Sequence, residues 1–211
     1  MSRKRPKPIG REVGEARPPP VDPSQILADS EKADRAFVHE FQDRALNELV
    51  PLFRSLTKRI VGHGDVTHPD GSKAEVLAVA HGPFVLIVHS LPPGGVLHIV
   101  GMIGIDAQTS VRLGKTRGAD AKLRGHLAQA LLTGRSGYAF LPQSATEGPL
   151  NQIRIEQIFP YEVGSISSRT RACDAVQELV VDMMRAMIVL QHRLGQTAVF
   201  STASEPGHMF G

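Results

Sequence analysis

Four side chains of metal-ligating type fall within eight consecutive residues: His63, Asp65, His68 and Asp70. Imidazole and carboxylate groups together can hold a divalent transition metal. Nothing in their spacing sets the four on one face, however, and Pro69 and Gly71 interleave them with turn residues. The expectation is an exposed polar turn and no metal. A second candidate is Gly114-Lys115-Thr116, the ending of a phosphate-binding loop. That loop requires a glycine where Thr109 stands and a helix directly behind, whereas Arg117-Gly118 follows. A solvated basic turn is expected instead.

Cys173 is the only cysteine, so no intrachain disulfide or two-cysteine metal clamp can form. Arg169 and Arg171 precede it at the start of a predicted helix, a setting that lowers a thiol pKa. The position next to an apolar stripe argues the other way, for an inert thiol. His81, His89 and His98 fall near predicted strand ends and read as satisfied edge residues. There is no Gly-x-Ser-x-Gly elbow and no paired-carboxylate motif. The chain is therefore expected to be no enzyme and to use no cofactor.

Charge is more informative. Residues 1–21 carry six basic and two acidic residues, net +4, with Arg3, Lys4, Arg5 and Lys7 leading. Residues 107–137 carry Arg112, Lys115, Arg117, Lys122, Arg124 and Arg135 against Asp120 alone, net +5. The whole chain is only +3, so positive charge is segregated into an arm and one central stretch, a footprint for an anionic partner. Nucleic acid is one such partner, since phosphate contacts need only cations. Stacking aromatics are thin: there is no Trp and only two Tyr.

The elements that must position these groups follow from periodicity. Residues 1–21 form a Pro-rich arm that cannot bury enough surface to order itself. Residues 22–195 form one patterned domain, and residues 196–211 read as a tail. Asp22-Pro23-Ser24-Gln25 has helix-start chemistry. Phe37, Phe41, Ala45, Leu49, Leu52, Leu56 and Ile60 then recur at helical spacing, with a kink or break expected at Pro51. Residues 63–72 read as a turn. Strands are predicted over 75–81, 84–91, 96–105, 137–141 and 152–161, with a short amphipathic helix carrying Leu123, Leu127 and Leu131 between the third and fourth. The strands are almost continuously apolar, which implies a sheet covered on both faces. A closing helix carries Ala172, Val176, Leu179, Val180, Met183, Met187, Leu190 and Leu194. The fold class is α+β, an antiparallel sheet of about five strands flanked by N-terminal and C-terminal helices.

That element order resembles the type III secretion chaperone-like fold, including YbjN-type domains. The pieces that carry the likeness are residues 37–60, 75–81, 82–88, 96–105 and 172–194. The resemblance implies a dimer-prone domain that holds an extended segment of another protein along apolar surface, without catalytic residues.

The function expected from these observations is non-enzymatic protein binding, as a chaperone-like or adaptor domain. Met183, Met184 and Met187 offer an adaptable apolar face for the partner. The partner is another protein, with a homodimer or larger assembly expected. The alternative is a structural subunit of a nucleoprotein or virus-like assembly that touches nucleic acid or its neighbours through Arg3, Lys4, Arg5, Lys7, Arg112, Lys115, Arg117, Lys122 and Arg124. No apolar run approaches the roughly 18 residues needed to cross a bilayer, so no membrane role is expected. A lone cysteine suits a reducing, cytoplasmic setting.

Overall fold

The computed structural model describes residues 39–195, apart from 57, 69–70 and 92–93, together with the short strand Val199–Ser201. The basic arm, the helix start at residues 22–25, Phe37 and Asp70 lie outside the described residues.

The first helix among the described residues, α1, spans Arg44–Ser55 and is shorter than the stripe predicted. Asp43 caps it by accepting a hydrogen bond from the Ala45 amide. The helix runs through Pro51 for one more turn and ends at Leu56. Phe41 stays buried ahead of the helix rather than in it. Ile60 belongs to a strand, because Arg59–Thr67 forms β1, which also takes in the first part of the expected turn. A bulge between Ile60 and Gly62 re-registers this edge strand.

Strands β2 (Lys73–His81), β3 (Phe84–Leu91) and β4 (Val96–Ile105) follow as antiparallel neighbours. Two helices then leave the sheet: α2 over Ala107–Lys115 and α3 over Ala119–Leu131. Strands β5 (Gly137–Leu141) and β6 (Gln152–Pro160) return to it. The 29-residue α4, Ile166–Leu194, begins at the Ser165 cap and ends at Gly195. Within the stretch read as a tail, β7 (Val199–Ser201) pairs with β4. The resulting order is β1-β2-β3-β4-β6-β5, every pairing antiparallel, with β7 off that path. The architecture is α+β, with more strands than the five predicted.

Helices α1 and α4 pack on one sheet face. Leu46, Leu49 and Phe53 of α1 meet Leu77, Val79, Leu86 and Val88 in the same buried cluster as Ala172, Val176, Leu179 and Met183 of α4. Gly101 on β4 is what lets α4 come close. A Cβ there would sit 2.9 Å from Met183 Cε and 3.0 Å from Leu86 Cδ2, and closer still to Met183 Sδ. Glu48 ties the start of α4 to α1: it accepts from the Tyr161 hydroxyl at 3.1 Å and pairs with Arg169 at 3.3 Å. Alternation along the strands sends Val66, Val76, Ile87, Val100 and Met102 to the opposite face, where they form a second buried cluster. The sheet is thus buried on both sides.

Candidate functional site

The described members of the ligand-like cluster, His63, Asp65 and His68, do not assemble, and Asp70 lies outside the described residues. His63 and Asp65 lie on β1, in register with Leu77 and Glu75. His68 turns instead toward His89, with ring centroids 5.5 Å apart. His63 stacks on His39 at 3.7 Å. Among the described residues no three His, Cys, Asp or Glu side chains are placed to hold a metal.

His89 and His98 are not edge residues. Both are buried on the second sheet face, with ring centroids 4.9 Å apart, and His98 Nε2 shares a 2.9 Å hydrogen bond with Glu156. Burial first, and then the neighbouring His98 and His68, pull the His89 pKa down to about 4. The bond from His98 holds Glu156 below the usual carboxylate range. Cys173 is half-buried, and that burial raises its pKa against an opposing contribution from the buried Lys58. The arginines ahead of it therefore do not produce an activated thiolate. Gly114-Lys115-Thr116 spans the end of α2 rather than the loop before a helix, so no phosphate cradle forms.

The Met-rich face divides. Met183 is fully buried against the sheet and belongs to the core, and Met187 packs partly on that core. Met184 points the other way and is 50% exposed. Residues 181, 184 and 188 share one side of a helix by their spacing, and Val181 and Ile188 are exposed with Met184. Leu132, just past the end of α3, is exposed too.

This outer stripe runs into a trough between α3 and the C-terminal half of α4. Ala130, Ile188 and Val189 supply its apolar wall, His126, Gln129, His192 and Arg193 its rim, and its volume is 350 Å³. An adjoining cleft of 260 Å³ shares Arg193 and adds Thr109, Arg112 and Thr116 where α2 meets α3. Helix α3 is held against α4 by its buried Leu123, Leu127 and Leu131. The loop after α3 is locked by Asp182, a buried carboxylate on α4. It accepts from the amides of Arg135 (3.2 Å) and Ser136 (3.1 Å) and from Arg185 (2.9 Å). Gly134 permits this approach, since a Cβ there would overlap the Asp182 carboxylate. Nearby, Glu178 accepts from Gln157, Arg171 and Arg135, and these bonds outweigh burial to hold its pKa near 2.

The basic residues also divide. Arg112, Lys115, Arg117 and Lys122 are exposed around α2 and α3. Arg124 is not available to a partner: it is buried, donates to Asp120 at 2.7 Å and to the Pro142 and Gly148 carbonyls at 2.7 and 3.2 Å. Asp120 in turn accepts from the Leu150 amide. Arg3, Lys4, Arg5 and Lys7 lie outside the described residues. Sequence reasoning missed Val181, Ile188, Leu132, His126, His192 and Arg193. The signal for the first two was a second apolar series on α4, offset from the core stripe.

Among the described residues no helix is long and apolar enough to cross a membrane. No protein-family model matches the chain, and no curated protein matches it by sequence. Two solved structures are similar to it. The crystal structure of an uncharacterized protein from Methanothermobacter thermautotrophicus matches at TM-score 0.54 and 10% identity, covering 72% of this chain and 99% of that one. This likeness is one of fold. The crystal structure of YbjN from E. coli matches at TM-score 0.39 and 11% identity, covering 74% of this chain and 95% of that one. The expected YbjN-type resemblance thus meets a low-scoring counterpart on which no argument rests, and nothing found bears on the secretion-chaperone part.

Proposed function

We propose that this chain is a non-catalytic adaptor domain that holds a segment of a partner protein in the trough between α3 and α4. One observation carries the reading: α4 is apolar on two sides, and its outer series, Val181, Met184 and Ile188, remains exposed beside a concave surface. Large side chains exposed together in this way mark interaction surfaces rather than ordinary solvent-facing helix. Burial raises the pKa of the Cys173 thiol and so weakens it as a nucleophile, which favours holding over reaction. The free cysteine suits a reducing cytoplasmic setting.

Affinity purification from the native source, with mass spectrometry of what co-purifies, tests this with wild type beside Ile188→Asp. Circular dichroism confirms that the variant is folded. The adaptor reading expects specific companions that disappear with the variant. Companions unaffected by Ile188→Asp, in a folded protein, would refute the trough as the docking site.

The exposed cations Arg112, Lys115, Arg117 and Lys122 favour a second reading, a structural subunit that touches nucleic acid. It expects binding to random nucleic acid that weakens steeply with salt and vanishes when residues 1–20 are deleted. Binding indifferent to both would exclude it.

A further inference from the structure

We infer that the segment the trough accepts is an acidic amphipathic helix, an inference that rests on the trough being the docking surface. Charge selects the occupant first. The trough and its adjoining cleft are built from residues 107–131 and 183–195. These two stretches contain one acid, Asp120, which is buried and ion-paired to Arg124. Their exposed cations are Arg112, Lys115, Arg117, Lys122, Arg185 and Arg193, of which Arg185 is paired with Asp182. A partner entering here meets positive charge with no exposed carboxylate to offset it, so acidic segments are steered in and basic ones repelled.

The apolar surface of the trough selects next. Ala130, Ile188 and Val189 offer apolar contact and nothing to a phosphate, and no Phe or Tyr lines the trough as a platform for bases. An occupant that is apolar on one side and acidic on the other satisfies both floor and rim. Its conformation follows from the walls. Two helices flank the trough, and a third helix laid along their groove buries residues at i, i+3, i+4 and i+7. The exposed series from Val181 to the helix end covers about 14 residues, or about 20 Å of α4, which fits an occupant of three to four turns.

The test uses the full chain and two fluorescein-labelled peptides of about 14 residues. One places Leu at i, i+3, i+4 and i+7 with Glu elsewhere; the other replaces each Glu with Lys. Fluorescence anisotropy should show saturable binding of the Leu/Glu peptide, with the Leu/Lys peptide at least about tenfold weaker. Arg193→Glu and Ile188→Asp should each weaken Leu/Glu binding by about tenfold or more. Arg193→Glu is a surface change and keeps the test valid if Ile188→Asp does not fold. Equal binding of both peptides, or Leu/Glu binding untouched by Arg193→Glu, would overturn the inference.

Three further arms name the other occupants. The inference is overturned if a single-stranded oligonucleotide or phosphatidylserine vesicles bind in an Arg193- and Ile188-dependent way while the Leu/Glu peptide does not. It is also overturned if light scattering shows a dimer that Ile188→Asp dissolves, since a second copy would then fill the trough. Should the peptide not bind while Ile188→Asp still abolishes capture of native companions, the acidic-helix inference falls and the adaptor reading stands. Loss of dependence in both assays removes both.

Discussion

Replacing His89 should remove most of the protein's loss of stability between neutral and mildly acidic pH. His89 is fully buried on β3, between His68 and His98. Its pKa falls from the ordinary 6.5 to about 4 on folding, through burial first and the two neighbouring histidines second. Between those values the unfolded chain holds a proton that the folded chain rejects, so the unfolding free energy decreases as pH falls through the window. The full difference is worth about 3 kcal/mol. About 2 kcal/mol of it should be lost on going from pH 7 to pH 5. The chain has no Trp, so urea unfolding is best followed by far-ultraviolet circular dichroism. Wild type and His89→Phe are compared at the two pH values. The substitution itself shifts stability by some constant amount, and the difference of differences isolates the proton. A wild-type slope that persists in His89→Phe would refute the reasoning, because the titrating group would then lie elsewhere.

Other substitutions probe the elements that shape the trough. Gly101→Ala should cost about 1–3 kcal/mol by forcing a Cβ against Met183 and Leu86. Met183→Ala should cost about 2–5 kcal/mol alone, and the pair should cost clearly less than the sum in a urea double-mutant cycle, because the truncated side chain makes room for the new methyl. Asp182→Ala should destabilise by about 2–4 kcal/mol in the same assay, since the Arg135 and Ser136 amides lose their acceptor. Arg124→Gln should cost about 3 kcal/mol by leaving the buried Asp120 carboxylate uncompensated, whereas Lys122→Gln, two residues away and exposed, should change stability by under about 0.5 kcal/mol. Equal effects of these last two would mean that Arg124 is not internally engaged.

What was legible in the sequence had local causes. Strands β3, β4 and β5 fall at the predicted bounds and the closing helix carries the predicted stripe, because Gly82-Pro83, the apolar runs, the Ser165 cap and Gly195 are each sufficient over a few residues. Strand β1 was not legible. Its glycines and polar residues carry turn chemistry, and it becomes a strand by pairing with β2 from Thr67 opposite Lys73 to Arg59 opposite Ala80, which its own composition does not signal. Helix α2 was obscured by Gly114, although Asp106 caps it by accepting from the Thr109 amide.

The trough was hidden for a different reason. Periodicity on α4 marks two apolar series, one through Leu179, Met183 and Leu190 and one through Val181, Met184 and Ile188, and both are acceptable core faces by composition. The choice between them is made across the sheet, where Gly101 leaves room for Met183. The small residues Ala172, Ala175 and Ala186 on the same side allow a close approach that the larger outer series does not. Once that side is taken, Val181, Met184 and Ile188 must face away, and α3 can reach only one edge of them. The exposed apolar surface is therefore a consequence of how α4 seats on β4. A substitution that reseated the helix would move the docking surface and the core together.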